Sequence, residues 1–238
     1  MVNPWHRMGH ALHDDGRAWM EIYWPSNRAA GGQMKERPVI FNGEMVRAIL
    51  DGRKTQTRRT LNWKRQPYTE MAERDDGSLW PWAEDGERGG DIWFPCPFGE
   101  VGDRLWVRET FAVFDADWKH PGKPHDLRDG PWPNVVYPAS VAKIPDGTCR
   151  PSIHMPRWAS RIALEITAVR VERLNDISEE DAKSEGVKAG ICPGHEHMMH
   201  QVAFSELWQS IYGAENWSAN PWVWVIEFRR VEVRDASK

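Results

Sequence analysis

VIFNGEMVRAILDGRKTQTRR, residues 39–59, is the stretch from which the rest of the chain is read. It opens inside a short apolar strand, Arg37 to Asn42. Met45, Val46, Ile49 and Leu50 then recur at helical spacing, which predicts a helix over Gly43 to Asp51, and Gly52 stands where such a helix stops. The final eight residues, GRKTQTRR, leave the helix for an extended segment. There Arg53, Lys54, Arg58 and Arg59 alternate with Thr55, Gln56 and Thr57. A segment of this kind is a solvated basic turn, a phosphate clamp or the centre of a reactive site, and spacing alone leaves all three open.

Working outward, short strands outnumber helices. Asp103 to Glu109 (DRLWVRE) alternates like a strand, and Val135 to Tyr137 is a brief one. Arg161 to Leu174 (RIALEITAVRVERL) carries the strongest strand pattern, with a slip in phase near Ala168 that predicts a bulge. Ser178 to Glu185 starts like a capped helix, with Asp181 three residues after the serine. Val202 to Ile211 reads as a second amphipathic helix, and Pro221 to Val231 as a closing strand. These elements predict an α+β domain, a small, strongly bent or barrel-like β-sheet with peripheral helices. The domain is expected to run from 36 to 233. Long loop insertions are placed near 61–100, 115–133 and 186–200, around one rim. Residues 1–35 lack sustained periodicity and are expected to form a poorly ordered extension, with Met34 as a second candidate start.

Bulk properties narrow the class. The 31 Lys and Arg against 35 Asp and Glu give a formal net charge of −4, unlike proteins that hold nucleic acid by overall charge. From Arg47 to Arg65, however, seven basic residues face one aspartate, so any phosphate contact is expected to be local. Three widely spaced cysteines fit a reducing, cytoplasmic compartment better than a disulfide framework. No apolar run is long enough to predict a membrane span. The fifteen tryptophans are read mainly as packing residues, with one or two as a stacking platform for a base.

Four constellations can carry chemistry. Lys54 and Thr57 pair a base with a hydroxyl, since a lysine whose pKa is lowered by burial or neighbouring cations can take a threonine proton. Glu109 and Glu185 are carboxyl candidates for orienting a lysine or moving a proton. Cys192, His195, His197 and His200 are zinc-ligating types, but they lack the paired spacing of a structural zinc site and are read as an exposed insertion without metal. The loop PSIHMPRWASR, residues 151–161, offers His154, Arg157, Trp158 and Arg161, a mixture suited to a polar planar ligand such as a nucleobase. Trp106 is a second stacking candidate.

These blocks resemble the ASCH family of the PUA-like superfamily, especially phage and prophage versions, from about Lys35 to Val231. VIFNGEMVRAILDGRKTQTRR is similar to the family's leading helix and signature turn. GDRLWVRETF (102–111), ISEEDAKSEGV (177–187) and PWVWVIEFRRV (221–231) support it by order and spacing. The resemblance implies a β-barrel with a cleft for RNA or a modified nucleoside. Some small bacterial members are N4-acetylcytidine amidohydrolases that use a lysine, a threonine and a glutamate. Those fall here on Lys54, Thr57 and Glu185, although this chain is about twice as long. The expected function is hydrolysis of an acylated nucleobase or nucleoside without a cofactor. The competing expectations are a module that binds RNA or modified nucleic acid through Arg53, Arg58 and Arg59 with a stacking tryptophan, and a nuclease.

Overall fold

The computed structural model describes residues 33–61, 70–87, 89–122, 131–141, 144, 148–189 and 199–232. The expected N-terminal extension up to residue 32, and Cys192, His195 and His197, lie outside them. In chain order the elements are β1 (Glu36–Ile40), α1 (Gly43–Leu50), β2 (Gln56–Thr60), β3 (Glu70–Glu73), β4 (Leu79–Glu84), β5 (Asp91–Trp93), β6 (Arg104–Arg108), β7 (Ala112–Phe114), β8 (Asn134–Val136), β9 (Ala163–Arg173), α2 (Glu179–Ser184), α3 (Met199–Tyr212), α4 (Ala214–Ser218) and β10 (Trp222–Val231). They fall into two compact units, one holding β3, β4 and β5, the other the remaining elements.

The larger unit is built on a mixed five-stranded sheet in the order β1-β6-β9-β10-β2. Only β1 and β6 run parallel; the other neighbours are antiparallel. β10, flanked by β9 and β2, buries Val223, Trp224, Val225 and Ile226 completely, which explains its near-continuous apolar run. Between β9 and β10 the ladder passes from Ala168–Glu227 to Ile166–Phe228 and skips Thr167. This is a bulge at the point where the hydrophobic phase of β9 slips.

The predicted barrel is corrected in one respect: among the described residues no ladder closes the sheet, and β1 and β2 remain its edges. A side chain spans the gap instead, because Arg59 Nη2 on β2 donates to Ile40 O at the end of β1 (2.8 Å). Hydrophobic alternation marks which faces are buried but does not determine whether the last strand meets the first.

Two sequence signals position the strands. Asn42 caps α1 by accepting from Met45 N at 2.9 Å. Asn42→Ala is therefore expected to lower stability by about 1 kcal/mol in urea denaturation. Buried Asp103 accepts from Lys35 N, Arg37 Nη1 and Glu100 N, which ties the start of β1 to the turn before β6. One face of β10 packs Val223 and Val225 with Leu174, Ile177, Ala182, Phe204 and Trp208, so α2 and α3 dock against that face. Short β7 and β8 pair beside a second cluster of Phe111, Val113, Met155 and Ala159.

The smaller unit contains a three-stranded antiparallel sheet, β3-β4-β5, where the sequence predicts an irregular insertion. Its strands are only three to six residues long, and Pro81 sits in the middle one, which hides the pattern. The Pro81 carbonyl still accepts from Phe94 N at 3.0 Å. Trp82 and Trp93 are cross-strand partners, and Arg74 lies 3.9 Å from the ring centre of Trp80.

Candidate active site

The end of α1 delivers Lys54. Asp51 closes the helix and Gly52 follows at φ +74°. The amides of Arg53 and Lys54 then both donate to Ala48 O (2.8 and 3.0 Å). A second anchor comes from α2, because Thr55 N donates to Ser184 O at 2.9 Å and Lys54 forms an isolated antiparallel bridge with Glu185. Two helix ends far apart in sequence are thus stitched together at the lysine.

Gly186 permits this approach. It has φ +81°, and a Cβ there would lie 2.7 Å from Lys54 Cβ and 2.9 Å from Ala48 Cβ. Gly186→Ala combines left-handed strain with overpacking and is expected to cost at least about 2 kcal/mol. Gly52→Ala, also at positive φ but with open space around it, is expected to cost only about 1 kcal/mol. Urea denaturation of the two variants separates the effects.

The Lys54 side chain is fully buried. Its Nζ donates to Glu185 Oε2 (2.7 Å) and Glu185 O (2.9 Å), and it lies 5.6 Å from the Phe41 ring centre. Burial lowers its pKa below the ordinary 10.5; Glu185 opposes the shift and Arg59 and Arg58 reinforce it. Desolvation outweighs the ion pair because water is replaced on every side while only one carboxyl faces the amine.

The other oxygen of Glu185 accepts from Arg58 Nη1 at 3.2 Å. Arg58 Nη2 also binds Glu172, and Asp181 Oδ2 at 3.3 Å, while Arg170 links Glu172, Asp181 and Glu227. The hydrogen-bond network orients the Gln56 amide with its nitrogen toward Asp181 Oδ1 (3.0 Å) and its oxygen toward Arg58 Nη1 (2.6 Å). Burial alone would raise the Asp181 carboxyl, but Arg170 and Arg58, with Gln56, hold it below its usual value.

Thr57 is buried and lines a hollow of about 20 Å³ with Met45, Arg58, Arg59, Glu185 and the α3 side chains Phe204, Leu207, Trp208, Ile211 and Tyr212. Thr57, Arg58 and Arg59 are consecutive on β2, which is an edge strand. Phe228 N donates to Thr55 O and Leu61 N to Trp222 O, so the odd-numbered residues of β2 occupy the hydrogen-bonded rungs. The backbone N–H of Arg58 accordingly faces the free edge. A second cleft, of about 480 Å³, lies alongside and is lined by Asn42, Arg47, Arg53, Gly186, Lys188 and Glu206, among others. Met45, Glu185 and Leu207 line both spaces.

All four cations of GRKTQTRR have partners within the fold. Arg53 donates to Gly186 O (2.7 Å) and pairs with Asp51, Lys54 and Arg58 share Glu185, and Arg59 reaches Ile40 O. The remaining predicted binding residues line neither space. Glu109 is buried in a two-pronged pair with Arg161 (2.9 and 3.0 Å), which also stacks on Tyr137, 4.0 Å from its ring centre. Burial pushes the Tyr137 hydroxyl up to about 12. Arg157 binds Glu36 and lies, like Arg108, over Trp106. His154 is exposed in a 3-10 turn, and Trp158 packs on the Phe111 cluster. His200 Nδ1 meets Glu179 Oε1 at 2.7 Å, and among the described residues no cluster is arranged to hold a metal.

Sequence reasoning missed Gln56, Arg170, Glu172 and Gly186, and took Asp181 only as a helix-start residue. The alternation of Arg170 and Glu172 on one face of β9 was the available signal.

No protein-family model and no curated protein matches the chain. Two solved structures are similar to it. One is an ASCH domain from Lactobacillus crispatus, 15% identical, covering 84% of this chain and 81% of that chain at a TM-score of 0.37. The other is a DUF984 protein from Enterococcus faecalis, 10% identical, covering 87% of each chain at a TM-score of 0.35.

Proposed function

We propose that the chain is an amidohydrolase that removes the acyl group from a modified nucleobase or nucleoside of the N4-acetylcytidine kind. The observation that carries this reading is the buried Lys54–Glu185 pair, whose glutamate lines the Thr57 hollow. A neutral amine has two N–H donors and one lone pair. Both donors have acceptors on Glu185, which leaves the lone pair to take a proton.

In the proposed sequence Thr57 Oγ1 attacks the acyl carbonyl while Lys54 takes the hydroxyl proton. The Arg58 amide at the free edge of β2 receives the developing oxyanion. Collapse breaks the C–N bond, the proton on Lys54 passes to the departing cytosine amine, and an acyl-threonine ester remains. Water, deprotonated by Lys54, then cleaves the ester to free carboxylic acid and the starting enzyme. The 480 Å³ cleft is of a size that accommodates small ligands, and it is assigned to the base and sugar.

Thr57→Ala is the direct test. Cytidine release from N4-acetylcytidine, followed by chromatography, is expected to fall by at least about 100-fold with the protein still folded. Full activity in that variant removes Thr57 as nucleophile.

The pH dependence follows from the lowered Lys54 pKa. Activity is expected to rise with pH through an inflection below 10.5. The folded state holds this proton more weakly than the unfolded chain does. The Lys54 contribution to stability is therefore full above 10.5 and declines as pH falls toward the lowered value.

A second reading, nucleic-acid binding without catalysis, rests on Trp106 with Arg108 and Arg157 near its ring, 5.5 and 5.9 Å from the ring centre. Titration of labelled RNA at two salt concentrations tests it, because phosphate contacts weaken steeply with salt.

A further inference from the structure

We infer that Leu207, with Ile211 one turn further along α3, sets the largest acyl group the protein accepts. This rests on the amidohydrolase reading and specifies the acyl side of the same site.

The two spaces differ sharply in size and lining. The Thr57 hollow offers about 20 Å³, while the adjoining cleft offers about 480 Å³. A space of about 10–15 Å³ on this measure holds one water, so the hollow has room for one water-sized group, such as a single methyl. Its walls away from β2 and Glu185 are Met45, Phe204, Leu207, Trp208, Ile211 and Tyr212, which suit an apolar group and reject a charged one. Phe204 and Trp208 are buried members of the α2–α3–β10 core and cannot move aside cheaply. Leu207 is only half-buried, and it lines both spaces. Ile211 is exposed and lines only the hollow. These two side chains can therefore be shortened without emptying the core, and Leu207 shares the partition between the spaces with Met45 and Glu185.

A base held in the cleft and an acyl carbon at Thr57 place the acyl tail against this partition. An acetyl group ends in one methyl. A longer tail meets the wall of the hollow, where Leu207 and Ile211 are α3 side chains outside the buried core cluster, and one methylene too many in an apolar pocket lowers kcat/KM by about 10- to 200-fold.

The experiment compares N4-acetylcytidine with N4-butanoylcytidine on the full chain, Leu207→Ala and Ile211→Ala. Each protein is first checked for an unchanged melting transition. The ratio of kcat/KM for butanoyl over acetyl is expected to rise at least about 10-fold in Leu207→Ala, and less in Ile211→Ala. A ratio within twofold of the parent in both variants overturns the inference and leaves the hydrolase reading standing. Calorimetric titration of both compounds into Thr57→Ala, with and without Leu207→Ala, gives a readout without turnover. Acetyl-selective binding relaxed by Leu207→Ala, with no turnover by the parent, supports the partition and removes the hydrolase. Absence of both binding and turnover overturns both.

Discussion

Replacing Lys54 by arginine is expected to lower kcat/KM for N4-acetylcytidine by about 1,000-fold while keeping the fold. Lysine and arginine carry the same charge but differ in the property the chemistry needs. Buried between Glu185, Phe41 and two guanidinium groups, Lys54 has its pKa lowered, so the neutral amine is within reach. A guanidinium stays protonated in proteins and has no lone pair to offer. Arginine can still donate to Glu185, so an inactive Lys54→Arg variant with a near-parent melting temperature separates proton transfer from ion pairing. The longer side chain in a fully buried position is a steric risk, and Lys54→Met serves as the second variant. Methionine is of similar length and uncharged, and it is expected to be as inactive as arginine. Retention of more than about a tenth of parent activity by either folded variant would sink the general-base role, since a positioned base contributes about 100- to 10,000-fold.

The same residue shows how far the sequence could be read. The strand, helix and extended segment of residues 39–59 were legible because each has its own period and its own stop signal. The meeting of Lys54 with Glu185 was legible only through resemblance. Nothing in a local pattern brings residues 131 positions apart together, and the contact depends on Gly186 having no Cβ. Arg58 and Arg59 were read as candidates for phosphate because their partners lie on β9, α2 and the end of β1, and single-strand spacing says nothing of them. The sheet of residues 70–93 was hidden for another reason. Strands of three to six residues interrupted by proline fall below the length at which alternation can be told from a loop. Barrel closure was over-read, since the pattern that buries a face is the same whether or not the edges meet.

Arg58→Met is expected to produce the largest loss of stability of any single change in the site, about 3–5 kcal/mol. The Arg58 side chain is fully buried, packs 5.8 Å from the ring centre of Phe204, and bonds to Glu185, Glu172, Asp181 and Gln56. Methionine replaces most of the apolar stem, so the loss isolates the charge. Without the guanidinium, Arg170 still serves Glu172 and Asp181, but Glu185 keeps only Lys54. Breaking a buried pair by removing one partner costs more than the pair contributes, because the remaining charge stays desolvated. For a domain of this size 1 kcal/mol shifts the melting temperature by about 2–4 °C, so a fall of roughly 6–20 °C is expected by scanning calorimetry. The pH dependence adds a second check. Arg58 is one of the groups that hold the Asp181 carboxyl below 3.8, so the stability it gives through Asp181 is present above that value and is lost as pH falls through the lowered one. The gap between parent and variant should be widest near neutrality and narrow in acid. A variant that melts within about 2 °C of the parent at neutral pH would mean that the carboxyl cluster is held by Arg170 and Lys54 alone. Arg58 would then be retained for its place beside Thr57 rather than for the fold.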